Sequence, residues 1–102
     1  MYRASDRIAN EDWIERLTAA GESLDLDDDA VSTATDLFLT HAPDADREKS
    51  TIAAASLYAA ALIRGQERSQ IEVAEEMDVT RLSVQQHWKP ILEEAGFQPP
   101  SW

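Results

Sequence analysis

The chain has 102 residues, 43% of them apolar and 28% charged, which is enough for one packed domain. Asp and Glu number 20 against nine Lys and Arg, a net charge of −11 at pH 7. The chain has no Cys, which excludes disulfides, thiolate metal sites and cysteine nucleophiles, and its three Gly argue against a glycine-rich phosphate loop. Residues Met1 to Asp6 carry no apolar signal-peptide core, and the longest uncharged run, Ser50 to Ile63, is too short to span a bilayer. A soluble, cytoplasmic single domain with no membrane partner is expected.

Helical periodicity runs throughout, and no strand pattern competes with it. A first helix is expected over about Asn10 to Ala20, with Trp13, Ile14 and Leu17 on one face. Glu11 and Asp12 suit its positive end, and Gly21 is read as its stop. A second helix follows Asp27-Asp28-Asp29 and places Val31, Ala34, Leu37, Phe38 and His41 at core spacing, ending before Pro43. The third, from about Ser50 to Arg64, is apolar on every side, so it belongs at the centre with the others around it. Its alanines permit close approach, Leu57, Tyr58, Leu62 and Ile63 supply volume, and Gly65 ends it. A short fourth helix opens on the capping box Ser69-Gln70-Ile71-Glu72 and stops near Met77. A fifth runs from Thr80 or Arg81 to Ala95, bent at Pro90, with Gly96 just beyond. Residues 1–9 form an N-terminal arm and residues 97–102 a Pro-containing tail that ends in Trp102.

Residues 70–95 fit a helix-turn-helix. Ala74 is small enough for the two helices to touch, and Val73, Met77, Val79 and Val84 are spaced to close the pair onto a third. Asp78 stands in the turn where Gly is common, and Asp tolerates left-handed dihedrals better than most residues. Val84, Trp88 and Ile91 then face inward, while Thr80, Arg81, Leu82, Gln85, Gln86 and Lys89 face outward. That outward set suits a major groove. Arg and Lys take phosphate or guanine, Gln pairs with adenine, and Leu82 meets a thymine methyl. Arg68 and Gln70, beside the capping box, complete the expected DNA contacts. Residues 80–89 hold two bases and no acid in an otherwise acidic chain. The competing reading of this row is an ordinary solvated helix face.

The other candidate chemistry is weaker. Asp25, Asp27 and Asp29 alternate like a calcium loop, but Ala30 and Asp36 stand where Gly and Glu are required, so capping explains them better. His41 and His87 share no metal partner and read as partly packed side chains. No strand-turn-helix elbow surrounds any Ser. The chain is therefore expected to be no enzyme, with no catalytic residue, metal or cofactor.

From Ile52 to Ile63 the chain reads IAAASLYAAALI, then Arg68-Ser69-Gln70, then EVAEEMDVTRLSVQQHWK from Glu72 to Lys89. This resembles the cyclin-box repeat of transcription factor IIB and its archaeal counterpart, transcription factor B. The matching positions are Ala53 to Tyr58, Arg68, Gln70, Glu72, Val73, Ala74, Val79, Thr80, Trp88 and Lys89. The resemblance implies an all-α, five-helix cyclin-like domain over residues 10–96, its last two helices forming the helix-turn-helix. It also implies a transcription-initiation role in which the fifth helix reads promoter DNA, with TATA-binding protein or RNA polymerase as further partners.

The departures shape this expectation. Ser69 replaces Thr, and Gln85 and His87 stand where the family carries Arg. The full factors have an N-terminal zinc ribbon and two repeats, whereas this chain has no Cys and one repeat. A stand-alone regulator or accessory factor is expected, and its acidity suits an extreme halophile, because molar salt screens self-repulsion. The second functional expectation is an adaptor that binds TATA-binding protein, RNA polymerase or a full-length factor through helices two to four without touching DNA. No pattern in the chain sets an oligomeric state.

Overall fold

Five helices succeed one another: α1 (Glu11–Ser23), α2 (Asp28–His41), α3 (Asp46–Ile63), α4 (Gln70–Glu76) and α5 (Arg81–Glu94). The computed structural model describes residues 10–41 and 46–96, and of residues 46 and 47 it describes the backbone alone. No strand occurs among the described residues. The expected N-terminal arm and the tail with Trp102 lie outside them. No described helix is long and apolar enough to cross a membrane.

The residue pattern of α3 dictates its place. Ala53 to Ala61 are all buried, a run that leaves no wet face. The helix packs against all four of the others, most extensively against α2 and α5. Six of its alanines are fully buried, and their small side chains let the neighbours come close. The neighbours supply the bulk: Leu17 from α1, Phe38 from α2, Val73 from α4, and Val84 and Trp88 from α5, each almost without exposure. Burying a side chain of this size stabilises the fold by roughly 1.5–3 kcal/mol. The all-α bundle around an alanine-rich helix is the architecture expected from the sequence.

Three helices end in the same way. Asp25, Gly65 and Asp78 adopt left-handed φ values of 60°, 70° and 57°. At each, two backbone bonds close the last turn, as where Gln66 N–H reaches the Ala61 carbonyl and Gly65 N–H the Leu62 carbonyl. Gly65 therefore stops α3 as expected.

Gly21 does not stop α1, contrary to the sequence reading. It lies inside the helix and is buried. A Cβ placed on it would sit 2.6 Å from Cγ2 of Val31 on α2. The glycine is needed for the approach of two helices, a demand that comes from tertiary packing.

Two connections are bound to each other. Gln66 accepts from Asp27 N–H at 3.0 Å, and its amide donates back to the Asp27 carboxylate. Asp27 also caps α2 by accepting from Ala30 N–H at 2.9 Å. Arg64 donates to Thr33 Oγ1 at 3.0 Å. These bonds tie residues 64–69 to the start of α2 and so place α4.

Candidate nucleic-acid interface

Helix α4 begins where Ser69 and Glu72 satisfy each other's backbone donors. Glu72 N–H donates to Ser69 Oγ at 3.0 Å, and Ser69 N–H donates to the Glu72 carboxylate at 3.1 Å. This is the capping box expected from the sequence. The left-handed Asp78 closes the helix. Thr80 then caps α5 by accepting from Ser83 N–H at 3.1 Å. Three short segments with their own stop and start signals thus build a helix, a turn and a second helix.

One side of this pair is interior. Val73, Ala74, Met77, Val84, Trp88, Ile91 and Leu92 are all buried. The opposite side of α5 carries Arg81, Leu82, Gln85, Gln86 and Lys89, all exposed, with Thr80 exposed at its head. The inward and outward sets match the expected helical register. Lys89 lies 5.6 Å from the centre of the Trp88 ring, so its charge is held beside a buried aromatic. Helix α5 continues through Pro90, whose missing N–H leaves the Gln86 carbonyl without a helical donor.

Arg68 stands apart from this row. Its Nε donates to the Leu24 carbonyl at 2.8 Å, and Nη1 donates to Gln66 and Glu67 carbonyls at 3.0 and 3.1 Å. Nη2 donates to the Asp25 carbonyl at 3.2 Å. The guanidinium clasps two connections and turns its donors toward the protein. Gln70 is half-buried and meets the Tyr58 hydroxyl beneath α4. Burial pushes the Tyr58 phenol above its usual value; the Gln70 bond and the Arg81 charge act against that push, and Glu67 adds to it. Six of the eight expected contact residues therefore share one exposed surface, and two lie beneath or beside it.

Two features of this region were not singled out in the sequence: an exposed apolar Ile71 that joins the expected Leu82, and a side-chain tie. Ile71 is 55% exposed and Leu82 is 62% exposed, and they are the large exposed apolar side chains among the described residues. Both belong to the α4–α5 pair. The Ile71 signal was its place on α4 across the helix from Val73. The second feature is a tie at the far end of α5. His41 Nε2 is 2.6 Å from the Glu94 carboxylate, and His41 Nδ1 is 2.8 Å from the Leu37 carbonyl. Both ring nitrogens face oxygen atoms. No local pattern signals a contact across 53 positions.

Charge divides the molecule. Helices α1 and α2 expose Glu11, Asp12, Glu15, Glu22, Asp28, Asp29 and Asp36. The basic residue among them, Arg16, stacks on Trp13 at 4.4 Å. On α5 the first ten positions carry Arg81 and Lys89 and no acid, and Glu93 and Glu94 appear only at the end. Among the described residues, no three His, Asp or Glu side chains converge as a metal site would require.

A five-helix bundle closed on an alanine-rich centre, ending in a short helix, a turn and a longer helix, defines the cyclin-like helical repeats. The chain belongs to one family of these: the transcription factor TFIIB repeat matches residues 6–94. A 49-residue stretch is 43% identical to transcription initiation factor IIB 2 of Thermococcus kodakarensis, covering 48% of this chain and 16% of that protein. The transcription initiation factors IIB of Pyrococcus horikoshii and Pyrococcus abyssi are each 41% identical over 49 residues, with the same coverage. The match thus spans about one sixth of the length of these relatives.

Proposed function

We propose that this protein is a DNA-binding module of transcription initiation or its regulation, and that α5 reads promoter duplex. The observation that carries the reading is the exposed, acid-free row on α5, set in a chain of net charge −11. In this reading Arg81 and Lys89 hold phosphates and fix register, while Gln85 and Gln86 reach base edges. Leu82 meets a thymine methyl. Thr80 caps α5 and presents its hydroxyl to the backbone of the duplex. Arg68 and Gln70 act from behind by holding the frame that presents the row. The relatives named as transcription initiation factors support the same role. The protein acts without a cofactor and carries out no catalysis.

A titration with promoter duplex in concentrated potassium chloride tests the reading. Arg81→Ala combined with Gln85→Ala is expected to weaken binding and flatten the preference for promoter over unrelated DNA. Unchanged affinity and preference would overturn it.

The acidic surface of α1 and α2 supports a second reading. It favours a protein partner over a polyanion, namely TATA-binding protein, RNA polymerase or a full-length factor held without direct DNA contact. Recovery of such a complex in molar salt after nuclease treatment, with no DNA affinity of the chain itself, would establish this adaptor role instead.

A further inference from the structure

We propose that the cleft between α1 and α2 is a seat for a basic side chain, Arg before Lys, carried by a segment of a partner protein. The inference is independent of the duplex reading of α5. It adds a specific receptor to the acidic face on which the second reading draws.

Val31, which packs against Gly21 where the two helices come close, also lines a cavity of about 310 Å³. That volume is at the small end of the range for ligand pockets, about 300–1,000 Å³. Ile14 and Thr18 line it from α1, one turn apart. Val31 and Thr35, also one turn apart, line it from α2. Asp28, Ser32 and Asp36 follow one another at single turns along α2 and form its exposed rim.

The hydrogen bonds of the two threonines fix what the cavity can bind. Thr18 Oγ1 donates to the Ile14 carbonyl at 2.8 Å, and Thr35 Oγ1 donates to the Val31 carbonyl at 3.0 Å. A hydroxyl has one proton, and each of these is committed to its own helix, so both oxygens present lone pairs to the cavity. Thr35 is only 6% exposed, and its oxygen is held away from bulk water. The ionised carboxylates of Asp28 and Asp36 accept only, while the Ser32 hydroxyl can turn either way. Ile14 and Val31 supply an apolar wall.

The fitting ligand therefore brings donors, no acceptor and an aliphatic stem. Arg meets this description best, with its fixed fork of N–H groups, and Lys meets it with fewer donors. The methylene stem lies along the apolar wall while the head reaches the oxygens. The match is one of donors to acceptors as well as of charge. Exposed acids continue beyond the cleft at Glu11, Asp12, Glu15 and Asp29, and the nearby base Arg16 is stacked on Trp13. A protein segment with further bases meets that surrounding field, whereas a small free cation uses the cleft alone.

The full chain is titrated with an acetylated, amidated Gly-Arg-Gly-Arg-Gly peptide and followed by amide chemical shifts. Shifts are expected between Ile14 and Thr18 and between Asp28 and Asp36. The same peptide with citrulline for Arg should not produce them. Asp28→Asn should weaken binding by about tenfold, as the loss of one charge-assisted hydrogen bond implies. Thr18→Val removes an acceptor, keeps the shape and should also weaken it. Asp12→Asn makes the same charge change on the side of α1 away from Ile14 and should leave affinity within about twofold. Melting curves verify that each variant is folded. Absence of localised shifts, or equal losses in Asp28→Asn and Asp12→Asn, would overturn the inference. Agmatine binding as tightly as the peptide would overturn the protein partner and leave a small-cation site. Each of these results leaves the duplex and adaptor readings standing.

Discussion

The Tyr58 ring meets the Trp88 indole edge-on, with centroids 5.3 Å apart and planes inclined at 72°. The contact joins the central helix to the helix that carries the outward row. It places a positive ring edge against a negative face, a geometry worth about 0.5–1.5 kcal/mol beyond area burial. Trp88→Ala is expected to destabilise the protein by about 3–5 kcal/mol, a large part of the stability of a domain this size. Trp88→Phe should cost clearly less. Urea unfolding followed by circular dichroism checks both, and equal effects would show that the ring contact contributes nothing.

Gly21 and Val31 predict a specific rescue. Gly21→Ala forces a methyl to 2.6 Å from Val31 Cγ2 and is expected to cost about 1–3 kcal/mol, despite the better helix propensity of Ala. Val31→Ala in the same chain removes the obstruction. The double variant should therefore be less destabilised than the sum of the two single changes. A double-mutant cycle by thermal or urea unfolding measures this coupling, and simple additivity would refute the close approach.

Arg68 predicts a stability effect separable from DNA contact. Arg68→Ala removes donors from four carbonyls in two connections and should cost about 1–3 kcal/mol. Amide exchange should accelerate at the start of α4 before it does in α3. The salt dependence of duplex binding should be unchanged, because this guanidinium neutralises no phosphate in the proposed interface. A slope shallower by about one phosphate contact in Arg68→Ala would place Arg68 on the duplex instead.

Asp27 predicts a contribution to stability that disappears in acid. The Ala30 backbone bond is the main cause that holds its carboxyl below the ordinary 3.8, followed by the Gln66 amide; desolvation opposes them, and Arg64 and the Asp29 backbone add smaller lowering effects. A carboxyl depressed in the folded state contributes fully above its unfolded value and loses that contribution as pH falls through its folded value. Asp27→Asn keeps a capping side chain and removes the charge. Wild type should melt above the variant at neutral pH, and the gap should narrow below about pH 3.8. A gap independent of pH would refute the assignment.

Much of the architecture was legible because its causes are local. The run Ala53 to Ala61 has no polar side, so burial on all sides follows from helical geometry alone. Ser69 and Glu72 announce the start of α4 because both partners of the box lie within one turn. The outward row was readable for the same reason: once Val84, Trp88 and Ile91 face inward, a period of 3.6 residues sends Leu82, Gln86 and Lys89 outward. Gly21 was misread because a glycine that stops a helix and one that admits a neighbouring helix look the same along the chain.

The sequence by itself determined the five helices, the capping box of α4, the stop of α3 at Gly65, the identity of the central helix and the polar face of the last. Each of these depends on residues a few positions apart, where backbone geometry fixes who meets whom. The tertiary structure alone decided that Arg68 clasps carbonyls as far as 44 positions away, that Gln66 pairs with Asp27 across 39, and that His41 meets Glu94 across 53. Such partners are chosen by how the helices pack, and a polar side chain with several possible acceptors carries no mark of which one the fold will bring to it.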